Sequence, residues 1–507
     1  MVKKAFLLFL LLPLWVFLRG IYRDRIGAFG CFDDCFNYMG GYFLLAGKRL
    51  YADIFFNHQP LPAYLSALIQ WITKPDGIYL LIHQHRMFVV YFSMIADMLL
   101  VLRFGLVGFG FAVLYETTKG YVFGERFLAE AMIVYLLVYL LGLIGEVWQK
   151  KKLWTGELLV AAVLTWFVVF SREPYVPLGV AMFGYLLWKQ WKRRVAKISL
   201  ALFVVVSIVT IGLHSLPDYF FNLVTVNVSR PAQEGGNIWN ILFYPVLLFF
   251  GGGWNVFRTV EVTLTILFWV LIALKVLNKN VRWEQIILLF ILLTLANVRA
   301  VAPGEIYYAA FHHIVWYGLF ITSVLLLIGD AWEGRRRLIG ALSTMSFIVL
   351  TVWATATPAS YLHEKVDRHA EFTTNFSQVF TIGGIVQTLS LPQDTLFLDG
   401  WDDLIYWHAK LYSPYKYAWY TSSMPQFPVY RIARDAMFAD SPPDFYYGQC
   451  SRENIFDASA LGPHVDDYVR LVTGKYPTCV FVHRLKLPEI SDAQWQTAKE
   501  IFDIQRP

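Results

Sequence analysis

Eleven apolar runs, each 11 to 19 residues long and most separated by polar or basic stretches, leave this chain few folds to choose from. They occupy 5–18, 87–102, 105–115, 127–145, 158–170, 176–188, 198–214, 260–276, 283–298, 311–329 and 338–355. A spanning helix needs about 20 mostly apolar residues, and several runs fall short, so the pattern does not fix their ends. A twelfth run, 238–250, contains Pro245 and leads into three glycines. Charge decides whether it crosses. Lysine and arginine collect in cytoplasmic loops, and the basic clusters lie at 150–152, 189–197, 275–282 and 335–337. With Lys3 and Lys4 inside, every cluster falls on the same side only if 238–250 is interfacial or re-entrant. That arrangement gives eleven spans and a C-terminus outside the cytoplasm. The basic, apolar N-terminus has the look of a signal peptide without a small-residue cleavage site, so an uncleaved first helix is expected. At 57% hydrophobic and 16% charged residues, with a mean hydropathy of +0.49, the chain is expected to be a multi-pass membrane protein, placed in the cell membrane. Its net charge of +6 is accounted for by membrane orientation and calls for no nucleic acid.

The expected fold is an all-α polytopic membrane domain over 1–357 followed by an extracytoplasmic α/β domain over 358–507. The second part changes character. Strand-like TLFLDG at 395–400 and TCVFVH at 478–483 stand among helical and turn segments. The first outer loop (19–86), the loop at 215–258 and the C-terminal domain then share one face, and all four cysteines fall there. Cys450 with Cys479, and Cys31 with Cys35, can pair in an oxidising compartment, with free thiols as the alternative. Neither pair has zinc-ligand spacing.

The chemistry concentrates in the first outer loop, GCFDDCFNYMGGYFLLAGKRLYADIFFNHQPLPAYL, where Asp33 and Asp34 sit beside the bilayer. Acids in or at a membrane are costly and mark functional sites. Asp33, Asp34, Gly47, Tyr51, Asp53 and the His58-Gln59-Pro60 turn resemble the first outer loop of the GT-C glycosyltransferases. Within that superfamily the loop is most similar to protein O-mannosyltransferases and lipid A aminoarabinose transferases. Asp34 stands where those families usually have glutamate, and Pro62 is displaced by one position. The resemblance implies a polyprenyl-phosphate-linked sugar as donor, a lipid, glycan or protein as acceptor, and transfer with inversion. It implies Asp33 as general base, with Asp34 the local alternative.

The residues make independent sense for that task. An acceptor hydroxyl needs a base as it attacks C1, and one carboxylate suffices for a single inversion. A phosphate leaving group needs positive charge and hydrogen-bond donors. Arg172, Arg86 and His58 are the candidates to hold it; Tyr51, Asp53, His312 and His313 are candidates to line the site. Each has a plainer role open to it. One acid can cap the helix that follows, Arg172 can pair with Glu173, and Asp53 can fix the turn after Tyr51. Glu116, Glu125 and Glu130 lack a diagnostic ligand spacing, so no metal or other cofactor is expected. Asn227-Val228-Ser229 matches a glycosylation acceptor. The rival reading is a transporter or flippase of lipid-linked sugars, which should show broken helices and charges buried within spans.

Overall fold

The computed structural model describes residues 2–26, 33–229, 238–250, 254–277, 282–299, 310–333, 337–357, 376–399, 404–417, 427–448, 461–474 and 476–507. Each apolar run falls largely within one helix, although the helices over 5–18 and 87–102 extend seven and nine residues beyond the runs, to Arg25 and back to Ile78. In chain order these are α1 (Val2–Arg25), α2 (Asp33–Leu45), α3 (Leu61–Thr73), α4 (Ile78–Phe104), α5 (Leu106–Thr118), α6 (Ala129–Trp148), α7 (Thr155–Val169), α8 (Val176–Gln190) and α9 (Arg194–Gly212). Next come α10 (Leu216–Phe220), α11 (Val226–Ser229), α12 (Ile238–Leu247), α13 (Val256–Val276), α14 (Trp283–Ala296), α15 (Ile314–Glu333) and α16 (Arg337–Ala356). Among the described residues six helices are long and apolar enough to cross a membrane, and α7 and α14 are shorter apolar helices. The segment 238–250 holds only a ten-residue helix, α12. Such a helix rises about 15 Å, half the thickness of a hydrocarbon core.

Helices α6 and α15 pack on each other at the centre of the bundle and are its most enclosed members. Helices α4 and α5 form a hairpin that turns at Gly105, whose φ of +62° is a conformation side chains resist. Ion pairs tie helix ends together: Arg103 to Glu146 and Glu157, Lys189 to Glu284, and Lys275 to Asp330. Deeper in the bundle, Glu116 pairs with Lys119 at 2.6 Å and accepts from Tyr135, while buried Asp97 has no hydrogen-bond partner among the described residues.

The C-terminal part is a five-stranded sheet with helices α17 (Ser377–Leu389), α18 (Leu404–Ala409), α19 (Pro428–Asp440) and α20 (Asp492–Phe502). Its strands are β1 (Leu396–Asp399), β2 (Phe445–Gly448), β3 (Tyr468–Thr473), β4 (Tyr476–His483) and β5 (Ile504–Gln505), in the order β1-β2-β4-β3-β5. β1 and β2 are parallel, with Leu396 opposite Phe445, and the other pairings are antiparallel. Side chains alternate between faces with a period of two. Leu396, Leu398, Val480 and Val482 therefore share a core with Val386 and Trp495, whereas Phe397, Tyr446 and Phe481 meet Met437 and Phe438 of α19.

This sheet unit is fastened to the loop between α2 and α3. The Phe55 amide donates to the Tyr417 carbonyl at 2.9 Å and Lys48 Nζ to the Ser413 carbonyl at 2.8 Å. Phe55 itself packs edge-on against Tyr430.

Candidate functional site

Both acids lie in the first turn of α2, where negative charge meets the positive end of the helix dipole. That helix lies closely against α3. A Cβ on Gly41 would stand 2.6 Å from the Ala67 nitrogen, so only glycine permits the contact. Neighbouring helical residues point about 100° apart, and the two carboxylates accordingly reach different surroundings.

Asp34 is 0% exposed and accepts from Arg86 Nε at 3.0 Å and Nη2 at 2.8 Å, and from the Tyr38 hydroxyl at 3.1 Å. Arg86 also donates to the Ile26 carbonyl at 2.7 Å. Arg86, expected as a phosphate ligand, is thus enclosed with Asp34 and pins α4 to α2. Asp33 is 40% exposed and accepts from Arg172 Nη2 at 3.2 Å.

Arg172 sits in the turn between α7 and α8 and is 4% exposed. Its Nε donates to Glu130 Oε1 at 2.9 Å, and its Nη1 lies 2.5 Å from His58 Nδ1. Glu173 is 4.0 Å from Nη1, so the nearer acids are Glu130 and Asp33 rather than the sequence neighbour. His58 Nδ1 is also 3.3 Å from Glu173 Oε1. A single ring nitrogen cannot accept from arginine and donate to a carboxylate. The shorter contact fits an accepting Nδ1, which leaves the ring proton on Nε2, 3.8 Å from Asp33 Oδ2. Burial and the Arg172 charge both push the His58 pKa below its ordinary value, against the pull of Glu173 and Asp33. Burial raises the Glu173 carboxyl, yet its neighbours, the Arg172 charge foremost, outweigh it and hold it at about 2.

Tyr51 is buried at φ +70° and donates from its hydroxyl to the His58 carbonyl at 2.7 Å, which holds the turn that presents His58. Asp53 pairs with Arg49 at 2.8 Å and accepts its amide, the turn-fixing arrangement. His312 is buried within electrostatic reach of Arg299, Arg172 and His58, and its Nε2 has no hydrogen-bond partner among the described residues. His313 is directed instead to Glu261 at 2.6 Å and stacks on Trp316, apart from Asp33. The first outer loop, the start of α6, the α7–α8 turn and the turn before α15 therefore converge on one cluster: Asp33, His58, Glu130, Arg172, Glu173 and His312.

The pairing of Glu130 with Arg172 was not legible in the sequence; its one signal is an acid opening an otherwise apolar helix. Glu116, Glu125 and Glu130 do not gather, and among the described residues no group of three or more metal-ligating side chains could hold an ion. Cys35 and Cys479 are both disulfide-bonded, while Cys31 and Cys450 lie outside the described residues. The Asn227 amide donates to the carbonyls of Asn57 and Leu223 at 2.9 and 3.0 Å, so the glycosylation-like motif is occupied in packing the 215–229 segment on the loop.

No protein-family model matches the chain, and no curated protein matches it in sequence. Among solved structures, ArnT from Cupriavidus metallidurans, crystallised bound to undecaprenyl phosphate, is similar at a TM-score of 0.55 and 11% identity. The match covers 93% of this chain and 97% of that one, so it takes in the helical bundle and the sheet unit together. At that identity the likeness is one of fold. The chain has an ArnT-like fold, in keeping with the many-helix GT-C plan that the loop motif leads one to expect.

Proposed function

We propose that this protein transfers a sugar from a polyprenyl-phosphate donor to an acceptor on the extracytoplasmic face, with inversion at C1. Asp33 takes the proton of the acceptor hydroxyl as its oxygen bonds to C1. The C1–O bond to phosphate breaks, and its electron pair leaves with the polyprenyl phosphate, whose charge Arg172 stabilises. The observation that carries this reading is the pairing of a half-exposed Asp33 with an almost wholly buried Arg172 at 3.2 Å. On this reading the base stands beside a ready anion partner, while Asp34 is enclosed by Arg86. The undecaprenyl phosphate bound to ArnT supports the class of lipid. The same proposal places eleven spans in the cell membrane, the residues from 358 onward outside, and His58 and His312 beside the transferring group.

A second reading, movement of a lipid-linked sugar without cleavage, draws on Asp97 and the Glu116–Lys119 pair buried within the bundle. One assay separates the two. Purified protein in liposomes is supplied with polyprenyl-phosphate sugars and a cell-envelope extract as acceptor, and release of free polyprenyl phosphate is followed. Release supports transfer; translocation of intact donor with no release overturns it.

A further inference from the structure

Arg172 has Glu130, His58, Glu173 and Asp33 around its guanidinium, and Asp33 is the most exposed of the four. Glu130, 1% exposed, holds Nε at 2.9 Å, and His58, 13% exposed, holds Nη1 at 2.5 Å. Asp33 is the longest of the three contacts, at 3.2 Å, and the most exposed, at 40%. An anion that is to reach this 4%-exposed guanidinium therefore meets it where Asp33 now lies. Two anions on one nitrogen repel each other, and a phosphate accepts a stronger charge-assisted bond than a partly solvated carboxylate.

Resting on the transferase reading above, we infer that the lipid phosphate takes the place of Asp33 on Arg172, so that donor binding itself frees the base. A carboxylate tied to a guanidinium is a poor proton acceptor; freed beside a phosphate anion it is a better one. The loop supplies the carboxylate with a new partner. His58 keeps its Nδ1 on Arg172 and offers its Nε2 proton 3.8 Å from Asp33 Oδ2, beyond hydrogen-bond length but within reach of a small side-chain rotation. His58 is then a positioning residue that receives Asp33 when the phosphate arrives. The consequence is compulsory order: without donor the base stays on Arg172, and an acceptor that enters first meets an idle carboxylate.

The test is binding of undecaprenyl phosphate to the full-length purified protein in nanodiscs, with undecaprenol, which lacks the phosphate, as control lipid. Asp33→Asn removes the competing charge, so it should bind undecaprenyl phosphate about tenfold more tightly than wild type, the scale of one bond to a charged group. Asp33→Ala should bind at least as tightly and stands in if the Asn variant does not fold. Glu173→Gln removes a like charge 4.0 Å from the same arginine without vacating the contact on Nη2, and should tighten binding less than about threefold. Equal or weaker binding by both Asp33 variants, or equal tightening by Glu173→Gln, overturns competition for Arg172 and leaves the transferase reading standing. Wild-type binding of undecaprenyl phosphate no better than undecaprenol overturns the lipid-phosphate reading, and the inference falls with it.

Discussion

Replacing Asp34 with alanine should cost this protein stability rather than chemistry. The carboxylate is fully enclosed, and Arg86, 1% exposed, donates to it at 2.8 and 3.0 Å while Tyr38 adds a third bond at 3.1 Å. Removing one member of a buried ion pair strands the other charge, at about 3–5 kcal/mol. Folded proteins hold only about 5–15 kcal/mol in total, so a large share of the margin is lost. At about 2–4 °C per kcal/mol for a cooperative unit of about 150–250 residues, Tm should fall on the order of 6–20 °C. Scanning fluorimetry in detergent measures this, alongside turnover per folded molecule below the lowered transition. Arg86→Met should fall comparably, and Asp34→Leu combined with Arg86→Met should recover part of the loss, because the closest charge pair goes together and Arg126, 3.9 Å from Asp34, loses only a more distant partner. A wild-type Tm in Asp34→Ala together with lost turnover would refute the structural assignment and make Asp34 the base.

Three further outcomes follow from the same geometry. Arg172→Ala should weaken donor binding about 10–100-fold, and Arg172→Lys less, because lysine keeps the charge but not the planar fork; unchanged affinity in the alanine variant would reduce Arg172 to a partner of Glu130. Glu173, held at about 2 in the fold against about 4.3 for a free glutamate, contributes stability above about pH 4.3 that is lost as pH falls through about 2, so Glu173→Gln should flatten the acid limb of a Tm-against-pH curve in that window. Cys35 and Cys479 should resist maleimide until a reductant is added; labelling of both in intact, unreduced protein would contradict their disulfide state.

Hydropathy made the helices legible because a membrane span is a long, local signal. The short α12 could be set apart by charge alone, without tertiary information. The sheet was half legible. β1 and β4 lie within or close to the TLFLDG and TCVFVH segments, but β2 is four residues, FYYG, buried on both faces, and shows no alternation to read. At the site, the loop motif pointed to Asp33 and Asp34 together. Which one faces the arginine of the α7–α8 turn depends on a 100° rotation along α2, fixed by packing on α3 and α4. The same limit applies to Arg86: its place just before the apolar run 87–102 suits an interfacial anion ligand as well as a buried partner, and only the fold puts Asp34 on it. Glu130 could not be tied to Arg172 from sequence, because they stand 42 positions apart, across two helices that must first pack.

The central claim is that Asp33 removes the acceptor's proton. It is tested most directly by turnover of Asp33→Asn with a polyprenyl-phosphate sugar, measured per folded molecule beside donor binding on the same preparation. Asparagine keeps the shape and cannot take a proton, so turnover should fall about 10²–10⁴-fold while donor binding is no weaker than in wild type. Near-normal turnover in Asp33→Asn, and in the double variant with Asp34→Asn at a temperature where it is folded, would contradict the account.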